Sequence, residues 1–418
     1  MATTDFSQPD GLPLDKPQFL SDDSNPAQCA NAIISDIRDD LDNLPEALLE
    51  LLTKVVKPLF IGGHPRVTPA GRRPAYAPAP ILSQSSSHIS IDEDPRWRLS
   101  LTFPLLQWIL NAYRSLPQPK RRQVLEAQFP LLIPPILNLI DDIPSNSRSD
   151  GFSLLRLLCD TISSADSDIL KRTGLMDVCF DAIKSNFMLL PTLTPEDESL
   201  QVLQQLYPAA FALVRACFGV GGAAKTCPSH QGSVLLLSLD EEDKRQKYLK
   251  AILRHGLLAS LTHLGVGSSS VSHVQLTTFL LSQLIPTVEA MGLAAVTHLN
   301  RIIPMLRSIL LDPFVISVPE LLPTALDAMD AIIKTCSPRI RDRWWPECLY
   351  GLVGCWCNIL DDEEVFKARP LPSLIQAKHK VRVIGKVLSE TVDAEAWQKA
   401  VSILCHEEQD VEALFVQT

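Results

Sequence analysis

The chain has 418 residues, of which 46% are hydrophobic and only 6% are aromatic. This length is too great for one compact core, and the hydrophobic content excludes a chain that is disordered throughout. The formal net charge of −10 argues against a protein whose bulk surface binds nucleic acid or anionic lipid.

The N-terminal part of the chain alternates between helical and irregular composition. Residues 1–27 carry prolines, serines and acids without periodicity, which predicts a disordered leader, and no secretory or transit signal is expected there. Two helical patterns follow at 28–61, where Leu44-Pro45 marks a break. The Pro/Ser-rich stretch at 62–94, which includes Ser90 beside acids, cannot bury a core, and we interpret it as a flexible loop.

The cysteines and the apolar runs indicate the cellular setting. Ten cysteines are scattered along the chain, several within apolar helical patterns, as is typical of reduced thiols. No uninterrupted apolar stretch reaches the roughly 18 residues that would span a bilayer. We therefore expect a soluble protein of the cytoplasm that binds no membrane, with the nucleus left open as a second location.

From residue 95 to residue 418 helical patterns alternate with short breaks, and an internal repeat is visible among them. Residues 301–304 read Arg-Ile-Ile-Pro, and residues 343–346 read Arg-Trp-Trp-Pro, 42 residues later. A looser third copy begins at Leu132, and each proline is expected early in its helix. A period near 40 with two helices per unit is typical of HEAT-type repeats. The sequence therefore predicts an all-α fold, an irregular α-solenoid of HEAT-type helix pairs.

One segment resembles a phosphate-binding loop. Gly219–Thr226 is one residue away from a Walker A motif, and Val234–Leu239 imitates the apolar strand of a Walker B motif. However, Ala224 replaces the last glycine, and Pro228 prevents a long helix from following directly. We interpret the segment as a loop between two helices, and an NTPase remains the third and weakest hypothesis.

The cysteines near residue 355 do not predict a metal site. Cys355 and Cys357 are two residues apart, so on a helix they point in nearly opposite directions. Cys348 and Cys355 share a face, but that face is apolar, which favours buried thiols. The chain also lacks the glycine-flanked serine of an acyl-transfer elbow. We expect no cofactor, no metal and no catalytic residue.

Residues 339–346 combine three arginines and two tryptophans in an otherwise acidic, aromatic-poor chain. Arginine and tryptophan dominate the energetics of protein interfaces. An acidic run at 361–364 and a basic stretch at 378–382 follow. The predicted partner-binding residues are Arg339, Arg341, Arg343, Trp344, Trp345, Lys378, Lys380 and Arg382. Packing of the tryptophans between repeats is the alternative, and Trp344 would then be a core residue.

The order of these features resembles a known family. A short helical N-terminus, a Pro/Ser-rich loop and an irregular HEAT-type array lead to Arg-Trp-Trp-Pro at 343–346 and Gly-Cys-Trp at 354–356. Together, over roughly residues 95–400, they resemble the Tti-two subunit family of the TTT complex (Tel-two, Tti-one and Tti-two). The resemblance implies a non-catalytic cochaperone scaffold that binds Tti-one and, through it, Tel-two.

The same resemblance implies a role beyond the complex itself. Proteins of this family work with the HSP90 chaperone and its R2TP adaptor to mature phosphatidylinositol 3-kinase-related kinases. A transport receptor or vesicle-coat adaptor, which would use a helical array to bind cargo, is the alternative that the repeats leave open.

Overall fold

The computed structural model describes residues 42–61, 98, 101–191, 193–219, 231–265, 273–365 and 372–415. The predicted leader at 1–27 and the predicted loop at 62–94 lie outside these residues. The chain divides into two units, of which the first ends at Leu48 and the second begins at Leu49.

All regular secondary structure in the described residues is helical, which confirms the predicted all-α fold class. The α-helices are α1 Leu44–Glu50, α2 Lys57–Ile61, α3 Thr102–Ala112, α4 Gln118–Ile140, α5 Ser145–Ser164, α6 Ile169–Arg172, α7 Leu175–Asn186, α8 Glu196–Phe218, α9 Gln231–Ala251, α10 Ala259–His263, α11 Val274–Met291, α12 Leu299–Leu311, α13 Leu321–Thr335, α14 Ser337–Arg339, α15 Trp345–Val365, α16 Pro372–Thr391, α17 Ala394–Glu407 and α18 Glu412–Phe415. Short π-helical segments are Leu51–Val56, Ile252–Leu258 and Ile340–Trp344, and 3₁₀ segments are Tyr113–Ser115, Gly292–His298, Pro313–Ser317 and Gln409–Val411.

Successive helices of the second unit form pairs that stack in chain order. Within each pair the first helix is called A and the second B, so that α4 packs on α5, α7 on α8, α12 on α13 and α15 on α16. The B helices form a continuous row in which each contacts the next: α3, α5, α8, α11, α13 and α16. The A helices make corresponding contacts from α2 to α4, from α4 to α7 and from α12 to α15. Such nearest-neighbour stacking is the basis of helical-repeat folds.

The 42-residue repeat of the sequence falls on α12 and α15, two A helices that pack against each other. Leu306 and Cys348 stand at equivalent positions and are both fully buried. Leu310 and Leu352, one helical turn further on, are also both buried. The sequence repeat is therefore a structural repeat, in which the same positions of successive A helices supply the core.

The expectation that each proline lies early in its helix holds for Pro346, the second residue of α15, and is wrong for the other prolines of the repeat. Pro304 lies inside α12, and Pro134 and Pro135 lie deep inside α4. An interior proline removes a backbone hydrogen bond and costs about 3 kcal/mol. Tertiary packing offsets that cost in α4, where Leu132 and Ile136 on either side of the prolines are fully buried.

Two helical stretches are long and apolar enough to cross a bilayer, judged by length and composition alone: Gln118–Ile140 and Val274–Leu311. Neither stretch is an uninterrupted run of apolar residues, so the finding does not contradict the expectation that the chain holds no such run. Three basic residues at 120–122 interrupt the first stretch, and a 3₁₀ segment interrupts the second. Their helices also pack within the A and B rows, and core helices of this kind meet the same criterion.

Gly151 marks a close crossing of α5 over the end of α4. A Cβ atom at this position would lie 2.7 Å from the backbone nitrogen of Ile140 and 2.9 Å from its Cγ1. Because a backbone atom cannot move aside as a flexible side chain can, we expect Gly151→Ala to lower the free energy of unfolding by about 1–3 kcal/mol. Chemical denaturation followed by circular dichroism measures this loss.

Gly385 in α16 provides the matched control. A Cβ atom there would meet only Leu414 Cδ1, at an ordinary contact distance of 3.9 Å. We expect Gly385→Ala to leave stability unchanged or to raise it by up to about 1 kcal/mol, because alanine has the higher helix propensity. Equal losses in the two variants would contradict the close-crossing explanation.

Candidate protein-interaction site

The arginine- and tryptophan-rich segment connects the B helix α13 to the A helix α15. It comprises α14, the π-helical segment Ile340–Trp344 and the first residues of α15. Ile340 is fully buried and anchors the segment to the core. Arg339, Arg341 and Arg343 are all exposed, so the segment presents three guanidinium groups at one link between helix pairs.

The three arginines differ in how much the fold uses them. Arg341 Nε donates a hydrogen bond to the carbonyl oxygen of Thr391 at 3.1 Å, which ties the segment to the end of α16. The guanidinium of Arg343 lies 5.2 Å from the ring centroid of Trp344, within the range of a cation–π interaction. Arg339 forms no ion pair or side-chain hydrogen bond with the described part of the chain.

The second tryptophan of the segment belongs to an aromatic cluster, Trp345, Trp397 and Phe415. The ring centroids of Trp345 and Trp397 are 6.4 Å apart, and those of Trp397 and Phe415 are 5.7 Å apart at an interplanar angle of 88°. All three side chains remain partly exposed. Sequence reasoning missed Trp397 and Phe415, because they come from α17 and α18 and share no local pattern with Trp345.

The basic residues predicted on α16 are engaged within the chain. Lys378 Nζ lies 2.5 Å from Glu363 Oε2 on α15, and Lys380 Nζ lies 2.6 Å from Asp327 Oδ1 on α13. Arg382 Nε donates to a backbone carbonyl of α18 at 3.1 Å. These three cations therefore link α16 to three neighbouring helices. Their contact with a partner stays a prediction, whereas their intramolecular contacts are part of the fold.

Trp356 is the fully buried tryptophan of this region. Lys378 Nζ and the Arg382 guanidinium lie 5.2 Å and 5.0 Å from its ring centroid. Its indole Nε1 donates to the carbonyl oxygen of Asp410 at 3.1 Å. Desolvated cation–π contacts are worth up to about 2 kcal/mol. Trp356 thus joins α15 to both α16 and the C-terminal segment.

The cysteines of α15 lie as the apolar pattern indicated. Cys348 and Cys355 are buried, and burial raises the pKa of each thiol to about 12. Cys357 is only partly buried, and burial raises the pKa of its thiol too. Because thiolates rather than thiols bind metals and act as nucleophiles, the buried pair contributes packing and not reactivity.

The phosphate-loop lookalike is only partly within the described residues. Of Gly219–Thr226 the structure describes Gly219 alone, which follows the end of α8 with φ at 76°. The segment Val234–Leu239, which would be the strand of a Walker B motif, lies inside helix α9. A nucleotide-binding fold requires a strand there, so the NTPase hypothesis loses its second motif.

The burial of the tryptophans changes the expected effect of removing them. Trp344→Ala would cause a large loss of stability only if Trp344 were fully buried. Trp344 is partly exposed, so a large loss is not expected. We expect Trp356→Ala to lower the free energy of unfolding by about 3–5 kcal/mol, because it leaves a large cavity. Trp344→Ala is expected to cost only about 1 kcal/mol. Urea denaturation of both variants tests the ranking, and a larger loss at Trp344 would contradict it.

Comparison with known proteins places the chain in a family. The sequence profile of the Tti2 family matches residues 19–317, which is more than half of the chain. The match ends before the segment at 339–346, so the residues that carried the resemblance most specifically lie outside it. No solved structure matches the chain. The family implies a component of the TTT cochaperone complex, a scaffold that is not known as catalytic. The chain belongs to the Tti2 family.

Proposed function

We propose that the chain is the non-catalytic scaffold subunit of a TTT cochaperone complex that matures and stabilises phosphatidylinositol 3-kinase-related kinases together with HSP90 and R2TP. Family membership supports the complex. The stacked helix pairs support a scaffold, because such arrays leave long helix faces and terminal repeats free for other subunits. The cytoplasm, with the nucleus as a second compartment, is the proposed location.

The observation that carries the proposal is the exposed arginine- and tryptophan-rich segment at the last stacked helix pair. Arg339, Arg341 and Arg343 are exposed, and the aromatic cluster beside them keeps part of its ring surface in solvent. Half-exposed aromatic rings next to guanidinium groups are the composition of an interface hot spot. We propose that Tti-one docks here and connects the chain to Tel-two.

The basic residues of α16 take a supporting part in this proposal. Lys378, Lys380 and Arg382 hold α16 against its neighbours through the contacts described above. Substituting them therefore acts on stability as well as on binding. Arg341 is affected in the same way through its bond to Thr391. The cleanest binding variant changes Arg339 and Arg343 only.

We expect the double variant Arg339→Glu/Arg343→Glu to bind purified Tti-one at least about tenfold more weakly, the scale of a modest hot spot. Its far-ultraviolet circular dichroism should match that of the unaltered chain, and its free energy of unfolding should fall by at most about 1 kcal/mol, because both side chains are exposed and only the exposed cation–π contact of Arg343 with Trp344 is lost. Isothermal titration or a quantitative pull-down measures the change in affinity.

Arg301→Glu is the matched control for this variant. Arg301 is exposed and stands at the position equivalent to Arg343 one repeat earlier, 42 residues upstream. The control should bind Tti-one normally. Undiminished recovery with the double variant, or equal weakening by the control, removes the proposed docking site.

The role in kinase maturation has a separate cellular test. Replacing the chain with the double variant in cells should lower the levels of several phosphatidylinositol 3-kinase-related kinases together, because the complex serves them as a class. Immunoblots for several of these kinases, with Arg301→Glu as the control, measure this effect. Loss of one kinase alone, or unchanged levels despite lost Tti-one binding, contradicts the proposed role.

A further inference from the structure

Exposed apolar side chains recur at the turns between the A and B helices. The edge at which these turns lie, here called the A–B turn edge, comprises residues 98, 101, 141–148, 193–201 and 312–320. It holds the four most exposed large hydrophobic side chains of the described chain, which are Leu193 at 84%, Leu101 at 75%, Phe314 at 73% and Ile143 at 72%. Leu293, at the opposite edge, follows at 62%. Single exposed apolar residues need no explanation, but their recurrence at the A–B turns of four helix pairs does.

Hydrogen bonds connect the first three turns of this edge into one surface. Arg98 Nη2 donates to Asp142 Oδ1 at 2.7 Å, which joins the first turn to the second. Ser145 Oγ donates to Glu198 Oε2 at 2.5 Å, which joins the second turn to the third. The turns that carry Leu101, Ile143 and Leu193 are therefore adjacent to one another, and Phe314 lies two pairs further on.

The described residues of the A–B turn edge are also strongly acidic. Its two arginines are Arg98 and Arg148, and both donate to Asp142. Its seven carboxylates are Asp141, Asp142, Glu196, Asp197, Glu198, Asp312 and Glu320. Asp197 is exposed and takes part in no ion pair or side-chain hydrogen bond with the described residues. Unneutralised negative charge beside apolar side chains is complementary to a surface that is both basic and apolar.

We propose that the A–B turn edge is a docking surface for an amphipathic helix of a partner protein, with one apolar stripe flanked by Lys or Arg. Stacked helices lie about 8–10 Å apart, so successive turns present apolar side chains at about that spacing. On a helix, residues seven apart are separated by about 10.5 Å on nearly the same face. A heptad-spaced apolar stripe therefore meets Leu101, Ile143 and Leu193 in turn.

This surface is independent of the docking site proposed for Tti-one. The A–B turns lie at one end of the helix pairs, whereas the arginine-rich segment links a B helix to the next A helix at the other end. The two surfaces also differ in sign, because the linking segment presents arginines and the A–B turn edge presents carboxylates. The partner helix therefore binds whether or not Tti-one is bound.

A synthetic helical peptide provides the test. The peptide is about 18 residues long, with leucines at heptad spacing and flanking lysines, and carries a fluorescent label. Fluorescence anisotropy measures its binding to the full chain. We expect Ile143→Ser/Leu193→Ser to weaken binding at least about tenfold, because both apolar contacts are lost. Leu293→Ser, at the opposite edge, should change binding by less than about twofold.

The charge requirement is tested separately. Asp197→Lys should weaken binding of the peptide at least about threefold, whereas Asp243→Lys, an exposed acid in the middle of α9, should not. A photo-crosslinker in the peptide should label residues 141–148 or 193–201. Absence of binding, equal binding by the apolar variant and the unaltered chain, or crosslinks confined to other regions overturns the proposal.

Discussion

Each helix pair of the second unit carries apolar faces that only the pairs before and after it can cover. The continuous row from α3 to α16 meets this requirement in the interior, where Leu306 and Cys348 are sealed between neighbouring A helices. In the described residues, no further stacked pair follows α15 and α16. There the C-terminal segment takes over, because Val411 and Leu414 are buried and Trp356 bonds to the backbone of Asp410. Short helices at the end of the array thus complete its core, as terminal repeats must.

The end of the array also explains why its aromatic residues are half-exposed. Ile302 and Ile303 of α12 are fully buried, and the next A helix, α15, packs against α12. The equivalent positions hold Trp344, the last residue of the π-helical segment, and Trp345, the first residue of α15. In the described part of the chain, α17 and α18 supply the rings beside Trp345. Tryptophans in place of the smaller isoleucines at this point leave apolar surface that a second protein can cover.

The sequence predicted those features of the fold that depend on local pattern. Helical periodicity and the 42-residue repeat located α12 and α15, because both come from residues close together in the chain. Contacts between distant residues were not predictable in this way. Lys378 forms an ion pair with Glu363 and lies over the ring of Trp356. Lys380 forms an ion pair with Asp327. The sequence of the basic stretch does not predict any of these contacts. For the same reason, the sequence did not predict that Trp397 belongs to the aromatic cluster.

The stacking of the helices determines where the charged residues of the chain lie. A net charge of −10 describes the whole sequence, but its carboxylates and arginines are not evenly spread. B helices begin at the A–B turn edge. Acidic residues such as Glu196 and Asp197 lie in the first turn of α8, where they interact favourably with the positive end of the helix dipole. The arginines at 339–343 lie at the opposite end of the pairs. Helix capping and packing thus place carboxylates at the A–B turns and three arginines at one link between helix pairs. Each of the two proposed docking surfaces therefore suits a partner of the opposite charge.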